Sequence, residues 1–260
     1  MLEKIISHLK RLAYAVAVPF YLWGVRFLLA DNNRLKIAVC NKFIYNKKWL
    51  TVLPKVRLSE LANLAAKIKI REPIKDKGNI SLFEIAVINW LIKSYHPVNL
   101  FEIGTFDGRT ALNMAINCPA AGKVYTLDLS REQMQFTRLP LTGGDLEFIN
   151  KDISGVKYLK TKYKDKITQL YGDSAELNFF PYQDKMDFVF VDGSHSYEYV
   201  LHDSETALKL LRHGKGIVLW HDYGKWQDVT RALEELSRNG PKFASLKHID
   251  GTSLVCLVNR

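Results

Sequence analysis

"VNLFEIGTFDGRTALNMAIN", residues 98–117, decides how this chain folds. Residues 98–103 are mostly apolar and β-prone, as in a strand buried on both faces. Gly104 and Gly108 then bracket a short loop, and "RTALNMAIN" follows with helical spacing. Strand, glycine-bearing loop and helix make the first half of a β-α-β unit. The same alternation continues along the chain. "KVYTLDL" (123–129), "KITQLYGDS" (166–174), "MDFVFVDG" (186–193) and "GIVLWHDY" (216–223) are four further strand patterns. Helical patterns lie between and around them: "SLFEIAVINWLIKSY" with a Ser81–Glu84 capping box, "SYEYVLHDSETALKLLRH", and "QDVTRALEELSRNG" ended by Gly240. The chain closes on "FASLKHIDGTSLVCLV", two strands around an Asp-Gly turn. The predicted fold is therefore α/β. It is a doubly wound, mostly parallel sheet with a C-terminal antiparallel hairpin at its edge.

Composition sets the outer limits. With 260 residues and 47% hydrophobic content, the chain can bury one large core and carry an extension. Cys40, Cys118 and Cys256 are too scattered for a disulfide framework or a zinc cluster, which suits a reducing compartment. The net charge of +10 is concentrated at one end. Residues 1–80 hold 16 Lys and Arg against five acids, and the remainder is near neutral. We place a helical, basic, partly apolar extension at residues 1–79 and the α/β domain at 80–260.

The extension opens on an amphipathic pattern (Leu2, Ile5, Ile6, Leu9, Leu12) and continues into "LAYAVAVPFYLWGV", residues 12–25. That uncharged run is short of the roughly 20 residues that span a bilayer. Two readings stand for residues 1–30. They lie on an anionic membrane surface, which makes a cytoplasmic protein peripheral to the membrane, or they pack on the domain or a second subunit of a homo-oligomer. The bases interleave with aliphatic residues rather than with a stacking platform, which argues against nucleic acid.

In parallel sheets ligands bind beyond the carboxyl ends of the strands. Here each strand end carries a polar residue: Glu102, Asp128, Asp173, Asp192, His221 and Asp222. Any one of them is explained as a helix cap or turn residue; six in succession are not. The G-x-x-x-G spacing of Gly104 and Gly108 departs from the G-x-G-x-x-G of dinucleotide folds, with bulky Phe106 between. This crowds a pyrophosphate but admits a small carboxylate at the helix N-terminus. Glu102 is placed to accept from an ammonium, Asp128 from two ribose hydroxyls, and Asp173 with Ser174 from an adenine amine. Ammonium, carboxylate, ribose and adenine together describe S-adenosylmethionine.

"FEIGTFDGRTA", "TLDLS", "LYGDSAE", "FVFVDGSHSYEYVLHDS" and "GKGIVLWHDYG" resemble the class I S-adenosylmethionine-dependent methyltransferases, with their Rossmann-like sheet. Among those, residues 80–258 are similar to the metal-dependent O-methyltransferases of macrolide sugars and cephalosporin biosynthesis. The resemblance implies that Glu102, Gly104 and Gly108 line the methionine end of the cofactor, Asp128 holds the ribose, and Asp173 and Ser174 face the adenine. It implies Asp192 and Asp222 as ligands of a divalent cation, Mg²⁺ by preference. His221 stands where relatives often carry a carboxylate; as a ligand it favours Mn²⁺ or Fe²⁺. His195 takes the place of the general base. The implied reaction is O-methylation of a hydroxyl on a small molecule, sugar or glycan.

Two other readings compete. A hydrolase would use Ser194 as nucleophile and His195 as base, but "DGSHS" is not the G-x-S-x-G elbow and adjacent residues rarely share such a hydrogen bond. Ser194 is instead expected to cap the following helix. A non-catalytic cofactor- or partner-binding module of the same fold is the other. Tyr197 and Tyr223 are candidate pocket walls, Asp203 is read as structural, and the long segment 130–165 is expected to act as a lid.

Overall fold

Strand β2 (Asn99–Ile103) lies in the middle of the sheet and organises it. On one side it pairs in parallel with β3 (Lys123–Asp128), which pairs in turn with β4 (Ile167–Tyr171). On its other side it pairs in parallel with β5 (Phe188–Val191), and β5 with β6 (Gly216–Trp220). The order therefore reverses at β2, and the crevice between the ends of β2 and β5 is the switch point. A computed structural model describes this architecture for residues 51–259, which fall within a single unit spanning Trp49–Arg260.

The helices cover both faces, as right-handed crossovers require. Helices α1 (Leu82–Tyr95) and α2 (Arg109–Asn117) supply Ile85, Ile88, Leu91 and Leu112 to a cluster with Leu100, Phe188, Phe190 and Leu219 of the sheet. Ala207, Leu210, Val229 and Leu233 meet Phe101, Ile103, Val189 and Trp220 on the opposite face. Those four come from the two helices that follow β5 and β6. The side-chain alternation of each strand, period two, feeds the two clusters in turn. At about 25 cal/mol per Å² of apolar surface, these two layers are the main stabilising term of the fold.

The segment between β3 and β4 is long and irregular, with the five-residue helix α3 (Asp145–Ile149) and a one-turn helix at Val156–Leu159. The two helices of the second layer follow β5 and β6: α4 (Tyr197–Leu210) and α5 (Gln227–Asn239). The capping box of α1 forms as expected, Ser81 Oγ accepting from Glu84 N at 3.1 Å and Glu84 Oε2 from Ser81 N at 2.9 Å. At α4 the cap is Ser196, whose hydroxyl accepts from Tyr199 N, and not Ser194 as the sequence suggests. Ser194 is two residues too early to reach the first free N–H groups of that helix.

The terminal hairpin is present as β7 (Lys247–Ile249) and β8 (Val255–Asn259), and β8 joins the sheet antiparallel to β6. Beyond it, β1 (Lys55–Val56) pairs in parallel with β7. The sheet thus takes in residues ahead of position 80, a two-residue contribution too short to leave a strand pattern in the sequence. The tie is reinforced at Tyr223, whose hydroxyl accepts from Val52 N and Leu53 N, each at 3.0 Å. The expectations for residues 1–30 lie outside the described residues. Among those described, no helix is long and apolar enough to cross a membrane.

Candidate active site

Three strand ends meet at the switch point. After β2 the chain turns at Gly104, with φ +99°. A Cβ there would lie 2.0 Å from the carbonyl oxygen of Asp192, at the end of β5. Gly104 is thus required first by the neighbouring backbone, whatever ligand comes near it. The ladder continues through this contact: Gly104 N donates to Leu127 O and Asp192 N to Ile103 O, both at 2.8 Å. Phe106 sits in left-handed backbone at φ +49°, a strained conformation for an aromatic residue. It is held there by Gly155 N, which donates to its carbonyl at 2.9 Å, and by an edge contact with Phe148.

On one side of Phe106 lies a cavity of about 100 Å³, bordered by Gly104, Leu127, Asp128, Asp173 and Ser174. Asp128 pairs with Lys151 at 2.8 Å and accepts from Ser154 Oγ at 2.5 Å. Burial raises its pKa, against the pull of Lys151 and Ser154. Asp173 Oδ1 accepts from Ala175 N and Tyr199 Oη, while among the described residues Oδ2 accepts only from Arg138 N. One lone-pair direction of Oδ2 therefore remains for a ligand amine. Gly108 does not face this cavity; at φ +82° it enters α2, and its bare Cα lies against Gly155 and Tyr158.

Glu102 borders neither this cavity nor the next. It is fully buried, accepts from Thr126 Oγ1 at 2.5 Å, and keeps Oε1 without a partner. Burial pushes its carboxyl well above the usual range, and it joins a polar chain through Thr126, Thr105 and Gln169. The sequence places it to accept from an ammonium, directly or through water; strand alternation turns it beneath the glycine turn, away from both cavities.

Across Phe106 and Phe148 lies a second cavity, of about 210 Å³. At its floor Asp192, His221 and Asp222 each offer a ligand atom, all within 4.8 Å of one another. His221 Nδ1 is 3.0 Å from Asp192 Oδ1 and 3.2 Å from Asp222 Oδ1. Neither contact is a hydrogen bond by its geometry, and both ring nitrogens are buried without one among the described residues. Such a converging, unsatisfied donor set is what a cation would complete. Burial disfavours the His221 cation, but Asp192 and Asp222 outweigh it and raise the pKa well above the ordinary value. Asp192 is raised by burial against the attraction of His221. Asp222 is lowered despite burial, because His221 and His195 both face it. Asp222 also adopts left-handed backbone, φ +66°. Behind His221, Glu84 Oε2 stands 3.5 Å from Nε2.

His195 lines both cavities. Its Nε2 is 2.9 Å from Asp222 Oδ2 and its Nδ1 is 2.5 Å from Asp145 Oδ1. Trp226 stacks on the ring at 4.2 Å between centroids. Burial works against the imidazolium, yet the two carboxylates push the His195 pKa up to about 9. Ser194 Oγ donates to Asp145 Oδ2 at 2.7 Å rather than to His195, so the nucleophile–base pair of a hydrolase is not formed. Tyr197 and Tyr223 border neither cavity: the first lies under the guanidinium of Arg231, the second packs in the core with its hydroxyl donating to Glu234. Asp145, Glu84, Lys151 and Trp226 border or support the site without a signal in the sequence that assigns them to it. Glu84 was legible only as a cap and Trp226 only as an aromatic, while Asp145 and Lys151 lie in the segment with the weakest periodicity.

Residues 101–223 match the family described as a methyltransferase domain, from within β2 to just past Asp222. A putative caffeoyl-CoA O-methyltransferase of Arabidopsis thaliana is 29% identical over 56% of this chain and 57% of its own. A flavonoid 3',5'-methyltransferase of Vitis vinifera is 28% identical over 60% of each chain. The chain thus spans less than two thirds of the length of these relatives. The SAH-bound methyltransferase PaMTH1 of Podospora anserina shares the fold at a TM-score of 0.50, with 13% identity over 70% of this chain and 80% of that one. The resemblance read from the sequence, to class I methyltransferases and to O-methyltransferases among them, is borne out.

Proposed function

We propose that this chain is an S-adenosylmethionine-dependent O-methyltransferase in which a divalent cation and His195 together activate the acceptor hydroxyl. The observation that carries the reading is the meeting of Asp192, His221, Asp222 and His195 in the larger cavity, with Asp192 and His195 also bordering the smaller one. The cofactor would occupy the smaller cavity. Its ribose would replace Lys151 on Asp128, and its adenine amine would take the spare direction of Asp173 Oδ2 beside Ser174. Gly104 would leave room for the methionine end, with the buried Glu102 stiffening the turn from below.

The acceptor would enter the larger cavity between Phe106, Phe148 and Trp226. Asp192, Asp222 and His221 fit a divalent cation: two hard oxygen donors and one imidazole favour Mn²⁺ or Fe²⁺, and Mg²⁺ remains compatible. When bound, the cation would stabilise the acceptor as an oxyanion and orient it. Glu84 would receive the Nε2 proton of His221 and so turn Nδ1 toward the cation. His195 would take the acceptor proton at Nε2. Asp145 and Asp222 push its pKa up to about 9. Asp222 committed to a cation no longer supports that proton, which returns the imidazole toward the range of a base.

Incubation with methyl-labelled S-adenosylmethionine and a panel of sugar and phenolic hydroxyl acceptors tests the reading. Label should transfer to oxygen, stop with chelator and stop in His195→Gln. Cofactor binding with no transfer to any acceptor would leave a binding module. Full transfer in metal-free buffer would remove the cation.

A further inference from the structure

We propose that Asp145 is the positioning residue of the base: by accepting the Nδ1 proton of His195 it fixes the tautomer that leaves Nε2 bare toward the acceptor. This rests on the reading of His195 as the group that takes the acceptor proton.

Asp145 comes from α3, 50 residues before His195, and its side chain is 4% exposed. Oδ1 receives the His195 ring at Nδ1 and, at 3.1 Å, the His195 backbone N–H. Oδ2 receives Ser194 Oγ at 2.7 Å and Thr142 N at 2.8 Å. The carboxylate is thus satisfied on both oxygens, and two of its donors belong to the residue it orients. Its own pKa is held low: burial works against ionisation, but the His195 bonds and Ser194 outweigh it. Trp226 covers one face of the imidazole, at 4.2 Å and 23° between planes, which opposes rotation of the ring. Next to Asp145, Gly144 lies against the same indole; a Cβ there would come 2.4 Å from Trp226 Cη2. A glycine at 144 is what lets α3 come close enough for Asp145 to reach Nδ1.

The proton balance closes. The acceptor O–H gives its proton to Nε2 while the oxygen bonds to the methyl carbon. The S–CH₃ bond breaks, and its electron pair stays on sulfur as a neutral thioether. His195 becomes an imidazolium whose charge lies 2.5 Å from the Asp145 carboxylate. Without that carboxylate the ring is free to place its single proton on Nε2, where it blocks the transfer.

Asp145→Asn keeps the size and the Ser194 contact and is the main test. In protein loaded with Mg²⁺ and S-adenosylhomocysteine, ¹⁵N signals of the wild-type His195 ring should show protonated Nδ1 and bare Nε2. In the variant they should move toward the opposite tautomer. The turnover number should fall about 10²–10³-fold with the KM for S-adenosylmethionine within about threefold. In a His195→Gln background the same substitution should cost less than about threefold, because it acts through the ring. Equal losses in both backgrounds, or an unmoved ring signal, would overturn the assignment. A normal rate in His195→Gln alone overturns the base reading instead, while the ring signals still decide the role of Asp145. Should Asp145→Asn not fold, Gly144→Ala displaces α3 from Trp226 and is expected to reproduce both effects.

Discussion

Gly104→Ala separates two reasons for one glycine. If the residue serves a ligand, the substitution weakens cofactor binding and leaves the ligand-free protein intact. The structure gives the opposite order of effects. The new Cβ would lie 2.0 Å from Asp192 O, 2.5 Å from Asp192 C and 3.0 Å from Gly193 Cα, all backbone atoms that no rotamer change can move. To regain ordinary contact the two strand ends must part by about 1 Å or more. Overpacking of this kind costs about 1–3 kcal/mol. The left-handed φ of +99° adds about 1–3 kcal/mol for a residue with a Cβ. Stretching the bond from Asp192 N to Ile103 O removes up to about 1 kcal/mol more. The sum is about 2–7 kcal/mol, a large part of a total stability of about 5–15 kcal/mol. Urea denaturation of ligand-free protein should show this loss, and the melting temperature should drop by roughly 4–28 °C. Calorimetry on whatever remains folded should find the divalent cation bound more weakly, because Asp192 is displaced. A ligand-free stability within about 1 kcal/mol of wild type, with only cofactor affinity reduced, would refute the account.

Four further outcomes follow from the site. Asp128→Ala removes two acceptors for ribose hydroxyls and should weaken S-adenosylhomocysteine about 10–100-fold by calorimetry; unchanged affinity sinks the ribose assignment. Glu84→Gln should weaken cation binding by about 10–100-fold through His221, read by titration of the metal alone. In chelator, the raised pKa of His195 stabilises the fold fully below about pH 6.5, and this contribution disappears as pH rises through about 9. It is on the order of 3 kcal/mol, so His195→Gln should flatten the stability profile between pH 6 and 10, and parallel profiles would contradict it. Finally, the basic and apolar residues 1–30 are proposed to bind anionic lipid; the full chain should sediment with vesicles containing phosphatidylserine and a chain lacking residues 1–30 should not.

What the sequence discloses and what it conceals divide along a physical line. An apolar run ended by an acid can be read residue by residue, and all five internal strands with their terminal polar groups lie where such runs predict. Asp192, His221 and Asp222 belong to that class, because adjacent parallel strands in register must bring their ends together. Glu102 looks the same in sequence yet points beneath the turn, since position along a strand fixes depth but alternation fixes the face. It stands one residue before the end of β2, and that single step turns its side chain to the face packed under α1 and α2.

Asp145 is hidden for a different reason. No period places it, for it sits at the head of a five-residue helix in a segment whose conformation depends on what it packs against. Its partner is 50 residues away and the glycine that admits it is explained only by Trp226, another 82 residues on. The strand ends can be read because hydrogen-bonded ladders carry them into place whatever their side chains do. The cover over them is shaped by its side chains, so His195 acquires its partner Asp145 through contacts between segments that no local pattern encodes. Substitutions in residues 137–150 should therefore alter turnover while leaving the melting behaviour of the sheet largely unchanged, whereas changes in β2 or β5 should move both together.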